Sequence, residues 1–77
     1  MAWSRKFSPP VLLKDGRELK TLSDARDMIL RLPEGQQRAP YWLHAGELLL
    51  YAAGNDREPI DDARRQLCRA LHRDGLT

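Results

Sequence analysis

Apolar residues change their spacing along this chain, and each spacing predicts an element. Val11-Leu12-Leu13-Lys14 and Arg17-Glu18-Leu19-Lys20-Thr21-Leu22 flank Asp15-Gly16. Asp-Gly between short apolar-bearing runs predicts an antiparallel β-hairpin over 9–22, because both residues tolerate positive φ. A two-residue loop places Leu12 opposite Leu19, with Val11, Leu13 and Leu22 on the other face. A three-residue loop with Gly16 left-handed pairs Val11 with Leu19 instead. The first register is the one preferred here. Before the hairpin, residues 1–8 carry Trp3 and Phe7 and run into Pro9-Pro10, which excludes a helix and predicts an extended tail.

From Ser23 the spacing becomes helical. Ser23 is a residue type suited to the N-cap, Asp24 and Asp27 suit the positive end, and Ala25, Met28, Ile29 and Leu32 follow on one side. This predicts a helix over 23–32, ended by Pro33. Glu34-Gly35-Gln36-Gln37-Arg38 reads as a polar loop, either a contact surface or a connector. Pro40 opens a central helix over 40–53, with Gly54 as its left-handed closing residue. On that helix Tyr41, Trp42, Ala45, Leu48, Leu49 and Ala52 share a broad face. Leu43 and Leu50 mark a second apolar seam, leaving only His44, Glu47 and Tyr51 for a polar sector. A helix apolar around most of its circumference needs cover on more than one side. Asn55-Asp56-Arg57-Glu58 connects to Pro59, which opens a third helix over 59–74. Its stripe is Ile60, Ala63, Leu67, Ala70 and Leu71. Gly75 stops it, with Leu76 and Leu71 as the touching pair of a Schellman cap. The order is ββααα, an α+β fold in one small domain over 1–77.

Size adds a constraint. A chain of 77 residues buries only about 60% of its unfolded surface, and the usual staples of small domains are not visible. The single cysteine, Cys68, cannot form an internal disulfide, and no spacing of ligand residues marks a metal or cofactor site. A lone two-stranded hairpin is marginal, so it must lie on the helices or join another hairpin. Helix packing or self-association remains. The basic amino terminus has no apolar segment after it of the kind a signal peptide carries, and the run Leu48–Ala53 is too short to cross a bilayer. A cytoplasmic protein with a reduced thiol is expected, with no membrane partner.

Net charge is 13 − 11 = +2, and its distribution is uneven. Residues 1–22 hold Arg5, Lys6, Lys14, Arg17 and Lys20 against Asp15 and Glu18, or +3, while residues 23–77 sum to −1. Lys14, Arg17 and Lys20 of the hairpin, with Trp3 nearby, are therefore the candidate phosphate contacts. Arg64, Arg65, Arg69 and Arg73 give the third helix a superficial likeness to a DNA-reading helix. Its first turn carries Asp61 and Asp62, however, where such a helix approaches bases and phosphate. Acid first and base last suits the helix dipole and side-chain pairing on a solvated face. Cys68 with His72, and His44 with Glu47, share helix faces but have no further partner to complete a catalytic or metal site. They read as a half-buried cysteine beside a surface histidine, and as the polar sector of the central helix. No glycine-rich phosphate loop and no nucleophile elbow is present, so no enzyme is expected.

With these elements placed, the chain resembles the small bacterial proteins of the domain-of-unknown-function family 982, over roughly Trp3 to Leu76. Phe7 through Pro10-Val11 match an aromatic followed by a proline and a strand. Ser23, Ala25, Leu30 and Pro33 are similar to that family's serine before an alanine- and leucine-bearing helix ended by proline. Ala45 to Gly54 match the next alanine-bearing helix and its glycine, and Ala63-Arg64, Leu67 and Ala70 match the last. Leu32 stands where the family often has tryptophan, and Cys68 lies on the helix after the one that usually carries cysteine. The resemblance implies the fold and assigns no activity.

These readings predict a non-catalytic protein–protein interaction module that self-associates as a homodimer or docks another protein. Trp3, Phe7, Leu43 and Leu50 are its candidate interface residues, since exposed aromatics are frequent binding anchors. Tyr41 and Trp42 are assigned to the core. The alternative is a nucleic-acid accessory protein using the basic hairpin and tail.

Overall fold

The hairpin adopts the three-residue loop. In the computed structural model, which describes residues 2–55, 57 and 59–77, β1 (Lys6–Leu12) pairs antiparallel with β2 (Glu18–Thr21). Val11 lies opposite Leu19 and Leu12 opposite Glu18. The Leu13 N–H donates to Arg17 O at 2.8 Å, the Gly16 N–H donates to Leu13 O, and Gly16 stands at φ +94°. The preferred two-residue register is thus corrected, and burial is the reason. The observed register puts Val11, Leu13 and Leu19 together on the covered face and leaves Leu12 62% exposed. Glycine takes the left-handed loop position without a Cβ clash.

β1 begins earlier than the expected hairpin, and Phe7 is a core residue at 3% exposure. Residues before it do not trail away. The Ala2 N–H donates to Ala53 O at 2.6 Å and the Ser23 N–H donates to Trp3 O at 2.9 Å, so the segment is tied to two distant parts of the chain. The Ser8–Pro9 peptide bond is cis, and the ladder is irregular between Lys6 and Val11. Pro9 and Pro10 have no N–H to offer a further strand, and Arg64 takes their carbonyls, donating from Nε to Pro9 O at 2.7 Å.

Among the described residues four helices follow where three were expected. α1 (Leu22–Leu30) is capped by Thr21, not Ser23. Thr21 Oγ1 accepts from the Asp24 N–H, and Asp24 Oδ2 accepts from the Thr21 N–H, a capping box built directly off the last residue of β2. The supposed polar loop contains a one-turn helix, α2 (Glu34–Gln37). Gln37 Nε2 donates to Leu32 O at 2.7 Å and to Leu30 O at 3.3 Å, satisfying carbonyls at the end of α1 that have no intrahelical partner. α3 (Pro40–Gly54) starts at proline as expected but keeps Gly54 as its last helical residue, followed by Asn55 in extended conformation at φ −146°. Asp56 and Glu58 of the connector lie outside the described residues. α4 (Ile60–Arg73) ends in the expected Schellman cap: Gly75 sits at φ +73°, and Leu76 donates to Leu71 O at 2.8 Å.

α4 covers β1, α1 covers β2, and α3 joins α1 to α4 through the most extensive helix–helix contact of the fold. Trp42, Leu22, Leu49, Leu67 and Leu71 are among the largest fully buried side chains and belong to one core cluster. Ala45, Ala52 and Ala53 of α3 and Ala63 and Ala70 of α4 are all 1% exposed or less. Among the described residues no helix is long and apolar enough to cross a membrane.

Candidate interaction face

α3 buries Trp42, Ala45, Leu49, Ala52 and Ala53, and this leaves its second seam uncovered. Leu43 and Leu50 are each 54% exposed. They are seven residues apart, about 10.5 Å along the helix at its usual rise. Gly46 lies between them, and a Cβ placed there would meet nothing within 4 Å. The missing side chain leaves a notch in the ridge. Across the notch α1 presents Ile29 and Leu30, the latter 63% exposed, and Trp3 packs at the edge. Together these residues line a groove of about 440 Å³, its polar borders supplied by Arg26, Gln37 and Glu47. The Arg26 guanidinium sits 4.7 Å from the Trp3 ring centroid and near the Asp27 carboxylate, which fixes the tryptophan as one wall.

Three of the expected interface residues, Trp3, Leu43 and Leu50, therefore meet in one groove. The fourth, Phe7, does not; it is in the core. Leu30 belongs to the face although no interface role was expected for it. Its signal in the sequence is an apolar residue off the stripe of Ala25, Met28, Ile29 and Leu32.

The hairpin cations are divided. Lys14 borders one hollow and Lys20 the adjoining depression beside Glu18, Asp24 and Asp27, and Arg17 and Arg31 stand between the two and line both. The Arg17 backbone N–H and its Nε both donate to Asp15, at 3.0 and 2.7 Å, and hold the Asp15 carboxyl below its usual value.

Asp74 organises a polar cluster that sequence spacing could not reveal, because its partners are more than thirty residues away. Its carboxylate accepts from Gln36 Nε2 at 2.5 Å, Tyr41 OH at 2.7 Å and Trp42 Nε1 at 2.5 Å. These bonds, that from Gln36 foremost, hold the Asp74 carboxyl below its ordinary value. The same contact with Asp74, aided by burial, pushes the Tyr41 phenol up. Arg73 stacks 5.0 Å from the Tyr41 ring centroid. The cluster ties α2, α3 and the end of α4 together. Trp42 is in the core as expected, and Tyr41 is half-buried with its hydroxyl engaged.

Cys68 is half-buried and unbridged, and His72, His44 and Glu47 are exposed. Among the described residues no group of three or more histidine, cysteine, aspartate or glutamate side chains is placed to hold a metal ion. Compared with family models, with curated proteins and with solved structures, the chain gives no match.

Proposed function

We propose that this protein is a non-catalytic interaction module that self-associates through the α1–α3 face. One observation carries the reading: Leu30, Leu43 and Leu50, each more than half exposed, surround a groove notched at Gly46. Contiguous exposed apolar surface on a small protein marks an interaction site. A second copy is the occupant that the face suits. Leu43 and Leu50 are spaced evenly about the Gly46–Glu47 step, so a two-fold axis there sets Leu43 of one copy against Leu50 of the other, as a self-complementary interface requires. Arg26 and Glu47 border the groove with opposite charges, so two copies meet with no net charge to repel them. The hairpin offers no equivalent route along β1, since Pro9 and Pro10 lack N–H groups and Arg64 holds their carbonyls. A standard interface of about 800 Å² per partner would cover roughly a sixth of the 5049 Å² surface.

The test is native mass by light scattering across a concentration series, for the parent, Leu43→Glu and Leu50→Glu. The parent is expected to gain mass with concentration, and both variants to shift that gain to higher concentration. Each substitution enters a two-fold interface twice. A parent that stays monomeric throughout, or variants with the parent's mass profile, overturns the reading.

A further inference from the structure

The hollow between the hairpin loop and the end of α1 gathers groups that lie far apart in sequence. Leu13 and Met28, each 7% exposed, form its floor with Leu32 and Leu76. Lys14, Arg17 and Arg31 are exposed at its rim. The C-terminal wall is built by the Schellman turn: Gly75 in left-handed conformation turns the chain, and the Lys14 N–H donates to Leu76 O at 2.8 Å. The volume is about 390 Å³, within the roughly 300–1,000 Å³ typical of small-ligand sites. Three cations against Asp15 leave the rim with a surplus of positive charge. Asp15 is already committed to Arg17, and among the described residues the side chains of Lys14 and Arg31 have no ion-pair or hydrogen-bond partner.

We propose that this hollow binds a small amphiphilic anion, its short apolar tail on the leucine–methionine floor and its single carboxylate head held by Lys14 and Arg31. An apolar floor alone would take a neutral hydrocarbon, and a basic rim alone would take any anion. Their combination selects a molecule carrying both ends. The planar guanidinium fork matches a carboxylate, and the ammonium adds a point charge whose direction is free to adjust. The hollow shares no lining residue with the α1–α3 groove, so it stands or falls independently of self-association.

The test titrates the intact protein with sodium octanoate at fixed ionic strength, following side-chain methyl resonances. Octanol serves as the tail alone and acetate as the head alone. Saturable shifts at Leu13, Met28 and Leu32 are expected with octanoate, with octanol and acetate each at least about tenfold weaker. Arg31→Ala and Lys14→Ala, both at exposed positions, are each expected to weaken octanoate about tenfold, about 1.4 kcal/mol. The proposal is overturned if octanoate gives no saturable shift at these methyls. Octanol or acetate binding as well as octanoate overturns it too, as does parental octanoate affinity in both variants.

Discussion

Replacing Asp74 by alanine removes an acceptor shared by Gln36, Tyr41 and Trp42. Trp42 is 1% exposed, so its indole N–H loses its partner at the edge of the core, and a buried donor left unpaired costs about 1–3 kcal/mol. Gln36 is half-buried and recovers hydration, so it adds less. One term opposes the loss: Asp74 is an acid at the C-terminal end of α4, where removing negative charge returns about 0.3–1 kcal/mol. The net expectation for Asp74→Ala is a loss of about 1.5–2 kcal/mol, with the unpaired indole dominant. For 77 residues the total stability is of order 4–12 kcal/mol, so the loss is a sizeable share of it, and the melting temperature should drop by roughly 6–16 °C. Urea denaturation followed by far-UV circular dichroism should be run on Asp74→Ala, Trp42→Phe and the double variant. Trp42→Phe loses packing as well as the donor, but that packing loss is common to both arms of the cycle and cancels. A coupling of about 1–2 kcal/mol is expected, and a coupling within about 0.5 kcal/mol of zero refutes the shared-acceptor reasoning.

The same cluster sets a pH dependence at both ends. Asp74 titrates below 3.8 in the folded chain, so its contribution is present above that pH and is lost as pH falls through the folded value. Acid unfolding of Asp74→Asn should therefore have a shallower limb, and a limb parallel to the parent's argues against it. Tyr41 is pushed above 10.0, so its contribution is complete below that pH and lost as pH rises through the folded value. Tyr41→Phe should remove that alkaline loss in a stability–pH curve. Thr21→Ala should destabilise α1 by about 1 kcal/mol while Ser23→Ala stays within about 0.5, and equal losses in thermal melts would return the cap to Ser23. Gly75→Ala meets open space but must hold a left-handed conformation, so about 1–2 kcal/mol should be lost in denaturant melts. Little change there would mean that the Schellman turn relaxes.

Helix positions were legible because prolines and glycines punctuate the chain: Pro33 follows the end of α1, Pro40 opens α3, Pro59 precedes α4, and Gly75 closes the last helix. The hairpin register was not, since Asp15-Gly16 satisfies either loop locally and only burial of Val11 and Leu13 beside Leu19 decides between them. Nor was α2, whose polar residues carry no stripe and whose anchors, Gln36 to Asp74 and Gln37 to the end of α1, are contacts across the fold. The cap passed from Ser23 to Thr21 because the strand runs straight into the helix, leaving no connecting residues. For the face, Leu43 and Leu50 could be read from one helix, whereas Trp3 and Leu30 joined them only once α1 lay beside α3. Phe7 went the other way: β1 continues through two prolines, and that continuation draws its ring inside.

The buried alanines of α3 and α4 bear on how this sequence can drift. Ala45, Ala52, Ala53, Ala63 and Ala70 are each 1% exposed or less, and adding methylenes to a well-packed interior costs about 1–3 kcal/mol. Leucines on the opposite side of α3 face no such limit. Divergent descendants should thus exchange their large apolar residues freely while keeping glycine, alanine or serine at these five positions. A periodic ladder of small residues, more than any motif of polar chemistry, is the signature by which distant kin of this chain would be known.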